Sequence, residues 1–240
     1  MPTSTVENYL KAILVRSADA DAAVATGSLA EALGVTPGTI TTMVKSMASR
    51  GLLEHQPREG VRLTDSGRAH ALAVLRKHRL VETFLVQVLK MDWAEVHEEA
   101  EALEHAISER VLLRIDAILG HPDADPHGDP IPSAKSPQFD RDSSLSLATC
   151  EAHRQYRVER ILDQSPSFLE FIQRTGLMPG STVKVAERDP ASGVVRCELR
   201  DHPATLGLPE AAKIEVTEAA ARPRVAAEAH PSSGSARKPR

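Results

Sequence analysis

Residues 28–53, SLAEALGVTPGTITTMVKSMASRGLL, carry punctuation that few arrangements satisfy. Gly34 supplies a backbone free to turn. Thr36 and Pro37 then offer an N-cap and a first helical residue, and Gly51 stands where a helix stops. The spacing predicts a short helix, a turn and a second helix. Ala30, Leu33, Val35, Ile40, Val44 and Met47 are the apolar positions that lock the pair at a steep angle. Residues 52–64, LLEHQPREGVRLT, alternate weakly around Pro57 and Gly60 and predict a two-stranded hairpin. Helix, turn, helix and hairpin in that order make a winged helix-turn-helix. In such a unit Thr36, Pro37, Thr39, Thr41, Thr42 and Lys45 face outward from the second helix. Small hydroxyls there approach phosphates and base edges, and threonine methyls meet thymine methyls. Arg58 and Arg62 on the hairpin would reach the adjacent backbone. The competing reading is a helical hairpin with a β-turn that touches no nucleic acid.

Charge narrows this further. A net charge of −4 rules out coating nucleic acid by bulk electrostatics. Over residues 28–63, Lys45, Arg50, Arg58 and Arg62 barely outweigh Glu31, Glu54 and Glu59. Counterion release per subunit would be modest, so useful affinity implies a dimer or higher assembly.

Around this unit, residues 5–16 place Val6, Tyr9, Leu10, Ile13 and Leu14 at helical spacing, and SADADAAVATG reads as a loop. A long helix is predicted from Thr64 or Asp65 to about Lys90, another capped by Asp92 and running to about Ile107, and a third from Ser108 to Gly120. Residues 121–144 are rich in Pro, Asp, Ser and Gly, which marks a linker. Beyond it, 145–218 reads as a small β unit: a strand around Tyr156, Val158 and Ile161, a helix in SFLEFIQRTGLMPG, and strands in STVKVAER, GVVRCELR and AKIEVTE. The expected division is a DNA-binding domain over 1–64, a helical domain over 65–140 with its linker from 121, a β module over 145–218 and a disordered basic tail over 219–240. The fold class is mainly α with a small β module. No apolar run is long enough to span a bilayer and no signal peptide is evident. Two cysteines, Cys150 and Cys197, in 240 residues read as reduced thiols, so a cytoplasmic protein is expected.

Residues 93–107 say most about chemistry. At about 100° per residue, Trp93, Val96, Ala100, Leu103 and Ile107 form an apolar stripe about 80° wide. His97, Glu101, Glu104 and His105 form a second stripe beside it, about 100° wide, with no Lys or Arg interspersed as on a solvated face. Histidines and carboxylates at the margin of a buried face suit a divalent transition ion. The preceding helix adds His78 and Glu82, one turn apart. Each histidine taken singly reads more simply as hydrogen-bonded, and Glu101 and Glu104 as a solvated face; jointly they read as a metal site. Asp125 and His127, in DADPHGD, read equally as a polar loop. Leu85, Leu89, Met91, Trp93 and Val96 offer apolar surface for a two-fold interface, though core packing has an equal claim. A dinuclear hydrolase or oxidase is the rival class, but it would leave the winged helix idle.

RKHRLVETFL, VHEEAEALEH and HPDADPHGDPIP together resemble the diphtheria toxin repressor and manganese transport regulator family, over about residues 4–218. The resemblance implies a homodimeric, metal-activated repressor of operator DNA that takes no small-molecule substrate. It implies a winged helix, a helical dimerisation and metal-binding domain, and an SH3-like (FeoA-type) β-barrel, which FLEFIQRTGLMPGSTVKV also resembles. It implies two sites per subunit: a primary one from Asn8, His78, Glu101, Glu104 and His105, and a second from Glu82, His97, Asp125, His127 and Asp163. The iron branch places methionine at position 8 and cysteine at 101, and the manganese branch carboxylates. Glu101 therefore points to manganese(II), with iron(II) as the alternative, and Asn8 departs from both branches. Asp125 stands where related manganese regulators carry a cysteine.

Overall fold

The computed structural model describes residues 3–17, 22–56, 58–133, 145–200 and 202–219. Helix α1 (Ser4–Arg16) is capped by Thr3 and buries Val6, Tyr9, Leu10, Ile13 and Leu14. Helices α2 (Thr26–Ala32) and α3 (Pro37–Ser49) flank a turn with Gly34 at φ +62°, where the Val35 N–H closes on the Ala30 carbonyl at 3.0 Å. The Thr36 hydroxyl accepts from the Thr39 N–H, and Pro37 opens α3. Strands β1 (Leu53–Gln56) and β2 (Gly60–Leu63) pair antiparallel, with Leu53 opposite Leu63. Leu10, Ile13, Leu29, Ile40, Met47, Val61 and Leu75 join in one core, so α1 and the start of the next helix pack as one unit with α2, α3 and the hairpin.

That next helix, α4 (Asp65–Gln87), is capped by Thr64 and stops three residues short of the expected Lys90, which itself sits at φ +60°. Helix α5 covers only Val96–Glu104, against the predicted 93–107. Asp92 accepts the Ala94 N–H at 2.9 Å and so shapes a turn rather than a helix start. Trp93 and Ala94 leave the helical register because they pack into the core of the β module. Of the predicted apolar stripe on α5, Val96 and Ala100 are buried while Leu103 is exposed. Helix α6 (Glu109–Ile118) starts at its Ser108 cap.

The β module runs β3 (Leu145–Ser146), β4 (Gln155–Ile161), α7 (Pro166–Thr175), β5 (Thr182–Asp189), β6 (Val194–Glu198), β7 (Pro203–Gly207), α8 (Leu208–Ala211) and β8 (Ile214–Glu218). Its six strands are antiparallel in the order β3-β8-β4-β5-β6-β7. The pattern reading omitted β7, which begins on a proline and pairs only with β6, the edge position where proline is tolerated. The expected tail lies, from residue 220, outside the described residues, as do linker residues 134–144. Among the described residues no helix is long and apolar enough to cross a membrane.

Candidate metal centre and candidate DNA-contacting helix

Helix α4 projects His78 and Glu82 from one face, α5 adds His97, Glu101 and Glu104 with His105 as its C-cap, and α1 approaches with Glu7, Asn8 and Lys11. The loop after α6 supplies Asp125 and His127. Two adjoining centres result.

The first is dominated by a residue that sequence reasoning passed over. The Lys11 ammonium donates to Glu101 Oε1 at 2.6 Å and to both Glu104 oxygens at 2.8 and 2.9 Å, and lies 3.4 Å from His78 Nδ1. Lys11 is buried, at 8% exposure, and Glu104 is at 0%. His105 is engaged at both nitrogens, Nδ1 with Glu7 and Nε2 with the Asn8 amide oxygen, each at 2.7 Å. Asn8 thus reaches the cluster it was expected to join, through His105. The available signal for Lys11 was its spacing: three residues after Asn8, it shares that face of α1. His78 bridges Glu104 (Nδ1, 2.7 Å) and Glu82 (Nε2, 3.0 Å). Burial alone would lower its pKa, but hydrogen bonds to the two carboxylates outweigh burial and raise it to about 9. Glu101 is held below its ordinary value: burial opposes ionisation, and Lys11 overcomes it.

The second centre joins Glu82, Asp125 and His127, all buried, with one ligand atom from each within 4.8 Å of the others. Its decisive atom is His127 Nδ1. The ring's Nε2 meets the Trp93 carbonyl at 3.1 Å. A carbonyl only accepts, so Nε2 is the donor there, which leaves Nδ1 as the ring's other polar atom. Nδ1 is buried without a hydrogen-bond partner and faces Glu82 Oε2 at 3.9 Å and Asp125 Oδ1 at 3.8 Å. Two buried carboxylates and an unpartnered imidazole nitrogen converging in one place make a ligand set that suits a divalent cation. Asp125 shows the same strain: burial, then the charges of Asp129 and Glu82, push its carboxyl well above the ordinary range. Arg79 flanks the centre, its Nε 3.6 Å from Asp125. Glu82 is instead held low, since hydrogen bonds from His78 and His97 outweigh its burial.

His97, expected in the second set, stands between the two centres: its Nδ1 is 3.2 Å from both Glu82 Oε1 and His78 Nε2. Asp163 is not brought to the cluster. Its carboxylate accepts from Lys213 at 2.8 Å and from the Ser165 N–H at 3.0 Å, which spends it inside the β module.

The β module builds the second centre from behind. The Ile161 N–H of β4 donates to the His127 carbonyl at 2.9 Å. Gly128, at φ +89°, lies so close to the Glu159 carbonyl that a Cβ would overlap it. The Trp93 ring stacks on His127 at 5.4 Å, and its indole N–H donates to Gln173 of α7 at 3.0 Å.

On α3, Thr36, Pro37, Thr39, Thr41, Thr42 and Lys45 are all exposed. The Thr41 and Thr42 hydroxyls donate to the Pro37 and Gly38 carbonyls at 2.8 and 3.1 Å. Arg58 is exposed at the hairpin turn with φ +74°, and Arg62 lies 3.6 Å from Glu59.

Three family models match in succession. They are the iron-dependent repressor N-terminal DNA-binding domain over residues 1–61, the iron-dependent repressor metal-binding and dimerisation domain over 64–133, and the FeoA domain over 145–218. The iron-dependent repressor IdeR of Mycobacterium leprae is 33% identical over 178 residues, 70% of this chain and 77% of its own. A solved manganese-dependent transcriptional repressor in complex with manganese is 39% identical at a TM-score of 0.79, over 89% of this chain and 100% of its own. ScaR with bound Cd2+ is 30% identical at 0.72, over 91% and 100%. With these matches along its length, the chain belongs to the diphtheria toxin repressor and manganese transport regulator family and is a metal-dependent DNA-binding repressor, not an enzyme.

Proposed function

We propose that this repressor is activated by manganese(II) held by Glu82, Asp125 and His127, and that it acts as a homodimer on operators of metal-homeostasis genes. The observation that carries the metal assignment is the bare His127 Nδ1 facing two carboxylates. When bound, a divalent ion supplies the positive charge these acceptors lack and ties α4 to the loop after α6. All three donors are oxygen or imidazole nitrogen, which favours manganese over softer ions. Iron(II) is the second reading, favoured by curated relatives named as iron-dependent repressors. Thr36, Pro37, Thr39, Thr41, Thr42 and Lys45 are the residues that meet DNA, with Arg58 and Arg62 on the wing. Of the surface expected for the dimer, Leu85, Trp93 and Val96 are buried within the subunit, whereas Leu89 is 56% exposed. Val111, Leu113 and Ile118 of α6 are exposed as well and supply the rest of that face.

Of the two expected ion sites, the Glu82 centre is the activating one. Manganese, iron, cobalt and zinc titrations monitored by calorimetry and gel shift test this. Glu82→Ala or His127→Ala should lower metal affinity at least about a hundredfold, a loss of about 2.7 kcal/mol, and abolish metal-stimulated DNA binding. Wild-type behaviour in both variants would sink the assignment.

A further inference from the structure

We infer that the Lys11 ammonium is the resident cation of the cluster formed by Glu101, Glu104 and His78, so that this cluster takes no divalent ion and α1 is latched to α5 without one. The inference rests on the reading of Glu82, Asp125 and His127 as the metal centre. Four observations carry it. Lys11 Nζ lies within 2.9 Å of three carboxylate oxygens on two residues and so fills the position an ion would have to take. Lys11 is buried, so its contacts are not those of a wandering surface chain. His105, the further donor beside Glu104, has both ring nitrogens taken by Glu7 and Asn8 of the same helix. His78 spends Nδ1 on Glu104 and Nε2 on Glu82. Glu101 Oε1, both Glu104 oxygens and both His78 nitrogens are therefore matched by the chain itself, in contrast to the orphaned His127 nitrogen next door. An arriving divalent ion would meet a like charge among the very oxygens it needs. Glu7, Asn8 and Lys11, at i, i+1 and i+4 of α1, form the latch that holds the DNA-binding unit against α5.

Manganese counted per subunit by equilibrium dialysis on the full chain tests this. Wild type should hold one ion, Lys11→Met two, and Lys11→Arg, which keeps the charge, one. Two ions in the wild type would overturn the inference whether or not the variants fold. So would one ion in both wild type and a folded Lys11→Met, because the exclusion would then owe nothing to Lys11. A wild-type ion that survives both Glu82→Ala and His127→Ala and is lost in Glu101→Ala would lie in the Lys11 cluster and also overturn it. No ion in the wild type but one in Lys11→Met would leave the inference standing and sink the Glu82 centre instead.

Discussion

Asp125 accepts the N–H groups of His127 and Asp129 at 2.8 and 3.0 Å, which shapes the loop, while its ionised form is disfavoured by burial and by Asp129 and Glu82. A carboxyl whose folded pKa is raised contributes stability that is full below its unfolded value and is lost as pH rises through the folded value. Near neutrality the metal-free chain carries that strain. Asp125→Asn keeps the accepting oxygen and removes the charge. In chelator at pH 7 it should melt several degrees above wild type, yet lose its manganese affinity; differential scanning calorimetry and a metal titration read the two effects. His78 also has a raised pKa, held by Glu104 and Glu82 against its burial. Its contribution is complete below 6.5 and is lost as pH rises through about 9. In chelator, the stability gap between wild type and His78→Gln should therefore be largest at and below pH 6 and shrink toward pH 9.5.

On α3 the Thr41 and Thr42 hydroxyls are turned back onto their own helix, so the outward face offers methyl groups, the Thr39 side chain and the Lys45 charge. Thr39→Glu or Thr42→Glu should abolish operator binding in a gel shift while dimerisation and metal uptake stay unchanged, because the added charge meets phosphates. Lys45→Ala should weaken binding to all sequences and reduce the salt slope by about one per subunit, if it contacts one phosphate. The order of helices here was legible because Gly34, Thr36, Pro37 and Gly51 act locally, and α6 likewise announced itself through Ser108. Helix α5 was misjudged at its start because Trp93 answers to a core formed fifty and more residues later. His78, Glu82, Glu101 and Glu104 stood out by helical spacing. Lys11 did not, since a lone lysine on an amphipathic helix reads as solvated until α5 is laid against it. Nor could spacing tell that Asp163 would be claimed by Lys213.

At the scale of the whole molecule, the loop carrying Asp125 and His127 joins the helical part to the β module: it touches α4 through Glu82 and Arg79, the α4–α5 turn through Trp93, and β4 through Ile161 and Glu159. Gly128→Ala should push β4 away from the loop and lower manganese affinity about tenfold or more, a loss of at least about 1.4 kcal/mol, while α3 and its hairpin stay folded. Calorimetry on the purified variant, with circular dichroism to check folding, reads it. The Ile161 hydrogen bond to the His127 backbone makes the β module a reporter as well as a support. Coupling between two equilibria is reciprocal, so whatever firmness β4 lends to the ion, the ion must return to β4. The Ile161 amide should exchange its hydrogen more slowly in the manganese-loaded protein than in chelator. Any partner that gripped the β module in its docked form would, without touching the metal, make the repressor sensitive to a lower metal concentration.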